Sequence, residues 1–111
     1  MRICIPSKGP EPGDLVDERF GRAPYYVIFD AESGTTESYK NPAAEGMGGV
    51  GPRAAQFLLD KNVQVLVTAR IGGNALGALK AGGITILLYD QAGSTVRDAI
   101  AAYKSGGLKE Q

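Results

Sequence analysis

The chain has 111 residues and one cysteine, a size suited to a single domain (1–111) with an ordinary hydrophobic core and no disulfide framework. Its 12 basic and 12 acidic side chains cancel, which removes any global electrostatic case for nucleic acid or an anionic membrane as partner. Histidine is absent, and with it every Ser-His-Asp triad, Cys-His pair and histidine-based zinc cluster that one chain could build.

In chain order, residues 2–6 (RICIP) read as a short strand with Ile3 and Ile5 on one face, Cys4 on the other and Pro6 closing it. Residues 7–14 hold Gly9, Pro10, Pro12 and Gly13 and read as a loop, followed by the compact segment 17–24, which sets Arg19 and Arg22 around Gly21. Residues 25–30 (YYVIFD) are apolar on both alternating faces up to Asp30, the mark of a strand covered on both sides. Residues 35–41 are polar on both faces yet rich in Thr and Tyr, as an edge strand closing an antiparallel hairpin should be.

A glycine-rich loop, 45–51, leads to Pro52, whose fixed φ suits a first helical turn. Val50, Ala54, Phe57 and Leu58 then form one apolar stripe, and Asn62 is a left-handed stop. Residues 63–84 read as strand, glycine turn, helix, glycine stop and the start of the next strand: three valines at period two, then Arg70, Gly72, Gly73 and Asn74 at a helix start, then Gly82 and Gly83. Residues 84–89 are a further buried strand. Gly93-Ser94 offers a cap for a last helix with Val96, Ile100 and Tyr103 on its apolar face. The order β-β-β-α-β-α-β-α predicts an α/β fold with a mixed sheet. Its ligand side is the carboxyl rim of the parallel strands, where the loops at 7–14, 69–74 and 90–94 meet.

Gly46, Gly48 and Gly51 satisfy G-x-G-x-x-G but follow a polar edge strand, and no acid stands near residue 70 to hold a ribose, so a dinucleotide site is not expected. Arg19, Arg22, Arg53 and Arg70, with Lys8, each sit in or beside a glycine- or proline-bearing loop, and a shared anion pocket follows if the fold gathers them. Met47 is a weak candidate as a soft thioether ligand, and Asp14, Asp17 and Glu18 could approach a hard cation or simply be solvated. Cys4 reads as a small core residue. No acid/base pair or nucleophile–base pair is visible, so no enzyme is expected. One cysteine fits a reducing, cytoplasmic compartment. No apolar run approaches the roughly 20 residues of a membrane span, and no signal peptide or membrane partner is expected.

The segments 18–26 (ERFGRAPYY), 51–55 (GPRAA), 70–76 (RIGGNAL) and 82–84 (GGI) together resemble the dinitrogenase iron–molybdenum cofactor biosynthesis and binding family. The resemblance runs from Ile3 to about Leu108. It implies a ribonuclease H-like three-layer α/β fold with a five-stranded mixed sheet of order 3-2-1-4-5 and helices on both faces. It also implies a non-enzymatic carrier or accessory protein that holds an iron–sulfur or molybdenum–sulfur cluster, or a cofactor precursor, non-covalently, with a cluster-delivery protein as partner. Nuclease chemistry does not come with the fold name, since Cys4 stands where such nucleases place a catalytic aspartate. Many relatives carry histidine in the loop corresponding to 45–49, where this chain has Gly46-Met47-Gly48-Gly49. The expectation is therefore outer-sphere holding by Arg19, Arg22, Arg70 and backbone amides around Gly72, Gly73 and Asn74. The competing expectation is a regulatory or interaction module for a small phosphate, a nucleotide or a protein partner.

Overall fold

The computed structural model describes residues 1–43 and 50–111. It contains strands β1 (Arg2–Ser7), β2 (Tyr25–Asp30) and β3 (Thr35–Lys40), helix α1 (Val50–Asp60), strand β4 (Val65–Thr68), helix α2 (Gly73–Ala81), strand β5 (Thr85–Leu88), helix α3 (Val96–Ser105) and a short β6 (Lys109–Glu110). One sheet runs β3-β2-β1-β4-β5-β6. The first three strands form an antiparallel meander, β1, β4 and β5 are parallel, and β6 closes antiparallel on β5. The ribonuclease H-like expectation of order 3-2-1-4-5 thus gains a sixth strand. Two residues after Gly106 and Gly107 carry no alternation to read, and β6 forms only because β5 offers an unpaired edge.

Alternation along the strands builds two cores. Cys4, Ile28, Leu66 and Ile86 face Ala54, Leu58, Ala75 and Leu79 of α1 and α2. Ile3, Ile5, Val27, Val65 and Val67 face Val96, Ala99 and Ile100 of α3. β2 is buried along its length and β3 is exposed, because each face of β2 is covered while β3 is an outer strand. Leu58, Leu66 and Leu79 are each fully buried, and each such side chain contributes about 1.5–3 kcal/mol. Ala54 and Leu58 realise the stripe expected on α1, with Phe57 at its border stacked 6.0 Å from Tyr26 and edge-on to Tyr39 at 5.8 Å. The α1–α2 contact is tight at its amino end: a Cβ on Gly51 would lie 2.9 Å from the Ala75 Cβ.

Asn62 is left-handed with φ 60°, as its position predicts. The cap of α3 is one residue later than Gly93-Ser94 suggests. Thr95 accepts from the Asp98 N–H while Asp98 accepts from the Thr95 N–H, a reciprocal box that satisfies two donors where a lone serine would satisfy one.

Candidate functional site

At the carboxyl ends of β1 and β4 the chain leaves in opposite directions, β1 toward β2 on one side and β4 toward β5 on the other. Such a divergence opens a crevice between neighbouring strands, the usual ligand position in open α/β sheets. The crevice is walled by residues 8–24 and 69–72. Across it, Arg19 and Arg70 form an isolated parallel bridge, so the backbones of the two arginines lie side by side. The bridge divides the crevice into two depressions, one toward α1 and α2 and one toward α3, and Arg70 borders both.

The depression toward α2 encloses about 500 Å³ and is lined by Arg19, Arg22 and Arg70, by Phe20, Gly21 and Gly51, and by the 71–75 segment that opens α2. Helix α2 is N-capped by Gly72 with no side-chain cap bond, which leaves its first-turn amides without a side-chain acceptor at the lining of this space. Neither Gly72 nor Gly73 is demanded by packing or by a positive φ. A Cβ at either would meet nothing within 4 Å, so the open volume beside these backbones is available to a ligand. The start of α3 is the opposite case. Its Val96 and Arg97 amides bond the Asp14 and Pro12 carbonyls at 2.9 Å each, and Thr95 caps the next turn, so no donors remain for a guest.

Asp17 organises the arginine wall. Its carboxylate is 1% exposed and accepts from the Arg19 N–H at 2.9 Å, Nε at 3.1 Å and Nη2 at 3.1 Å, with Lys8 Nζ at 3.7 Å. Burial pushes the Asp17 carboxyl up, but the Arg19 bonds and the Lys8 and Arg19 charges outweigh it and hold the group below the usual range. The same bonds push the Arg19 guanidinium up. Arg70, by contrast, has no ion pair or side-chain hydrogen bond among the described residues and stands as an uncompensated charge at the rim.

Two further residues fix the loop. Asn41 donates through Nδ2 to the Gly21 and Ala23 carbonyls at 2.9 and 3.0 Å and accepts the Ala43 amide at 2.9 Å, which locks the turn carrying Arg22. The Tyr26 hydroxyl donates to the Phe20 carbonyl at 2.6 Å. Asp17, Asn41 and Tyr26 act as positioning residues that sequence reasoning did not single out as such. Asp17 was visible only as part of an acidic run, and nothing along the chain reveals that it turns inward.

The structure thus brings Arg19, Arg22, Arg70, Gly72, Gly73 and Asn74 to one depression. Arg53 does not join them. It sits a turn into α1 and lines a separate hollow with Pro42, Gln56 and Asp60. Lys8 lies on the α3 side of the bridge. Met47 falls outside the described residues. Asp14 closes a turn by accepting the Glu11 amide, and among the described residues no three His, Cys, Asp or Glu side chains gather as a metal site. Cys4 is fully buried and burial raises its thiol well above the ordinary value, so it is neither nucleophile nor accessible thiolate.

These features define a three-layer α/β domain that presents guanidinium groups and backbone amides at one rim of its sheet. The chain belongs to the dinitrogenase iron–molybdenum cofactor family, whose family model matches residues 1–106. Among solved structures, the apo form of the orange protein from Desulfovibrio gigas matches with a TM-score of 0.93 and 36% identity, covering 99% of this chain and 92% of that one. A Thermotoga protein described as a candidate NifB protein matches with a TM-score of 0.86 and 39% identity, covering 98% and 91%. An uncharacterised protein of Methanocaldococcus jannaschii is 26% identical, over 99% of this chain and 91% of its own length. No helix among the described residues is long and apolar enough to cross a membrane.

Proposed function

We infer that this protein is a non-enzymatic carrier that holds an anionic metal–sulfur cluster or cofactor precursor in the depression toward α2, by outer-sphere contacts. The observation that carries the reading is the uncapped start of α2 beside the uncompensated Arg70, with Arg19 held in place by Asp17. An open helix start favours an anion by about 0.3–1 kcal/mol. A guanidinium at roughly 5 Å from a unit charge, at an effective dielectric near 20, adds about 3 kcal/mol per charge. Metal–sulfur clusters are multiply charged and polarisable, so such terms repeat over several sulfurs without a metal–protein bond. The chemistry of the donor set agrees: the one thiol is buried and held protonated, and histidine is absent. The family name supplies the cargo class. A reducing cytoplasm and a protein partner that delivers or receives the cluster complete the reading.

The test is anaerobic mixing of apo-protein with soluble iron–sulfur or molybdenum–sulfur clusters, followed by desalting and metal analysis. The carrier reading expects metal to co-elute with the wild type and to be lost with Arg70→Glu. Absence of co-eluting metal, or equal retention by Arg70→Glu, overturns it. The same rim could instead seat a phosphate as a regulatory module. That outcome would appear as stabilisation by phosphorylated metabolites in metal-free thermal-shift measurements.

A further inference from the structure

The second depression is built differently from the first. It encloses about 350 Å³ on the α3 side of the Arg19–Arg70 bridge, at the low end of the roughly 300–1,000 Å³ typical of small-molecule sites. Its floor is apolar, with Ile5 and Val67 each 1% exposed, and Tyr89 forms one wall with its hydroxyl tied to Ser94 Oγ at 2.9 Å. Leu15 stands in its lining at 44% exposure, one of two large apolar side chains left exposed among the described residues.

Its charges sort into matched and unmatched groups. Asp17 and Glu18 are each met by Lys8 at 3.7 Å, and Asp17 also by Arg19. Two groups remain without an ion-pair or side-chain hydrogen-bond partner among the described residues: Arg70, after β4, and Asp90, after β5. β4 and β5 are adjacent parallel strands in register from Val65↔Thr85 to Thr68↔Leu88, so the segments that carry the two unmatched residues leave the same rim of the sheet, and both residues line this cavity. A cavity with an apolar floor and one free charge of each sign is complementary to a small molecule with the same three parts.

From this juxtaposition we propose that the depression toward α3 is a binding site for a small zwitterion with an apolar body, of the α-amino-acid type. The ligand's carboxylate engages Arg70, its ammonium engages Asp90, and its side chain lies over Ile5, Val67 and Tyr89. Either charge alone would leave the opposite group of the site unanswered, and a body as small as a hydrogen atom would leave the apolar floor wet. Specificity therefore requires all three features together. Arg70 borders both depressions, but Asp90 and the apolar floor belong to this one alone, so binding by the metal-free protein and its loss in Asp90→Asn distinguish this site from the carrier reading.

Isothermal titration of the metal-free protein with leucine and phenylalanine tests it, set against 4-methylpentanoate without the ammonium, isoamylamine without the carboxylate and glycine without the body. Saturable one-to-one binding with a Kd of about 1 mM or tighter is expected for leucine or phenylalanine, with each truncated probe weakened by about tenfold or more. Arg70→Gln and Asp90→Asn, both at exposed positions, should each weaken leucine by a similar factor while leaving the far-ultraviolet circular dichroism unchanged. Amide shifts on titration should cluster at 15–16 and 89–93. The proposal is overturned if neither amino acid binds, if 4-methylpentanoate or isoamylamine binds as tightly as leucine, if Asp90→Asn binds leucine as wild type does, or if the shifts fall at 72–75 instead.

Discussion

Replacing Asp17 by asparagine preserves shape while removing the charge on which the arginine wall turns. In the native protein the carboxylate takes three bonds from Arg19 at 2.9–3.1 Å. Asparagine's Oδ1 still accepts, but its Nδ2 meets Nη2 as donor against donor. One charge-assisted bond is lost, worth about 1.5–3 kcal/mol when buried, and the others weaken toward the neutral range of about 0.5–1.5 kcal/mol. The Arg19 side chain is 55% exposed, and water compensates it, which reduces the net loss to about 1–2 kcal/mol. At about 2.1 cal/mol/K per residue, a 111-residue domain loses about 4–9 °C in Tm. The dependence on pH has a definite sign. Asp17 has a lowered folded pKa, so its contribution is complete above the unfolded aspartate value of about 3.9 and fades as pH falls through the folded value. Thermal unfolding followed by circular dichroism should therefore show a Tm gap between wild type and Asp17→Asn that is constant from pH 8 to about pH 5 and narrows below about pH 4. A gap under about 1 °C at pH 7, or one that stays constant down to about pH 2, would refute the role assigned to Asp17.

Other changes reach other parts of the protein. Cys4 should resist iodoacetamide and disulfide reagents in the native state up to about pH 8.5 and react fully in denaturant, as followed by mass spectrometry, because its thiol is buried and its pKa raised. Gly51→Ala places a Cβ 2.9 Å from the Ala75 Cβ and 3.2 Å from its nitrogen, so α1 and α2 must part, and urea unfolding should report a loss of about 1–3 kcal/mol. Thr95→Ala removes the capping box of α3 and should cost about 1 kcal/mol in the same assay. Because the α3 start is already closed by its own loop, this last change should leave the anion binding proposed for the α2 rim untouched.

The framework was legible because its signals are local and repeated. Alternating valines and isoleucines announce β1, β2, β4 and β5, Asn62 and the 82–83 glycines end their helices, and the polar run at 35–41 declares an outer strand. Motif resemblance added the strand order. What escaped depends on contacts between distant residues. β6 exists only as a partner for β5, and the cap of α3 moved to Thr95 because Asp98 completes it, a pairing present in the sequence as Thr-x-x-Asp. The clustering of residues at the candidate site was half legible. Proximity to glycine turns marked Arg19, Arg22 and Arg70, but the same criterion also selected Arg53, which the helix rotates into another hollow. The inward turn of Asp17, the Asn41 clamp and the second, apolar depression across the arginine bridge have no periodicity to betray them.

The paths of the two ends of the chain bear on how the protein can be handled and joined. Met1 enters β1 at the amino edge of the parallel strands, where its carbonyl accepts the Ala31 amide. Gln111 returns to that same edge, its amide bonded to the Ile86 carbonyl at 2.9 Å. An affinity tag, a surface anchor or a fused neighbour attached at either end would therefore hang from the floor of the molecule, and the mouths of both cavities would stay unobstructed for traffic.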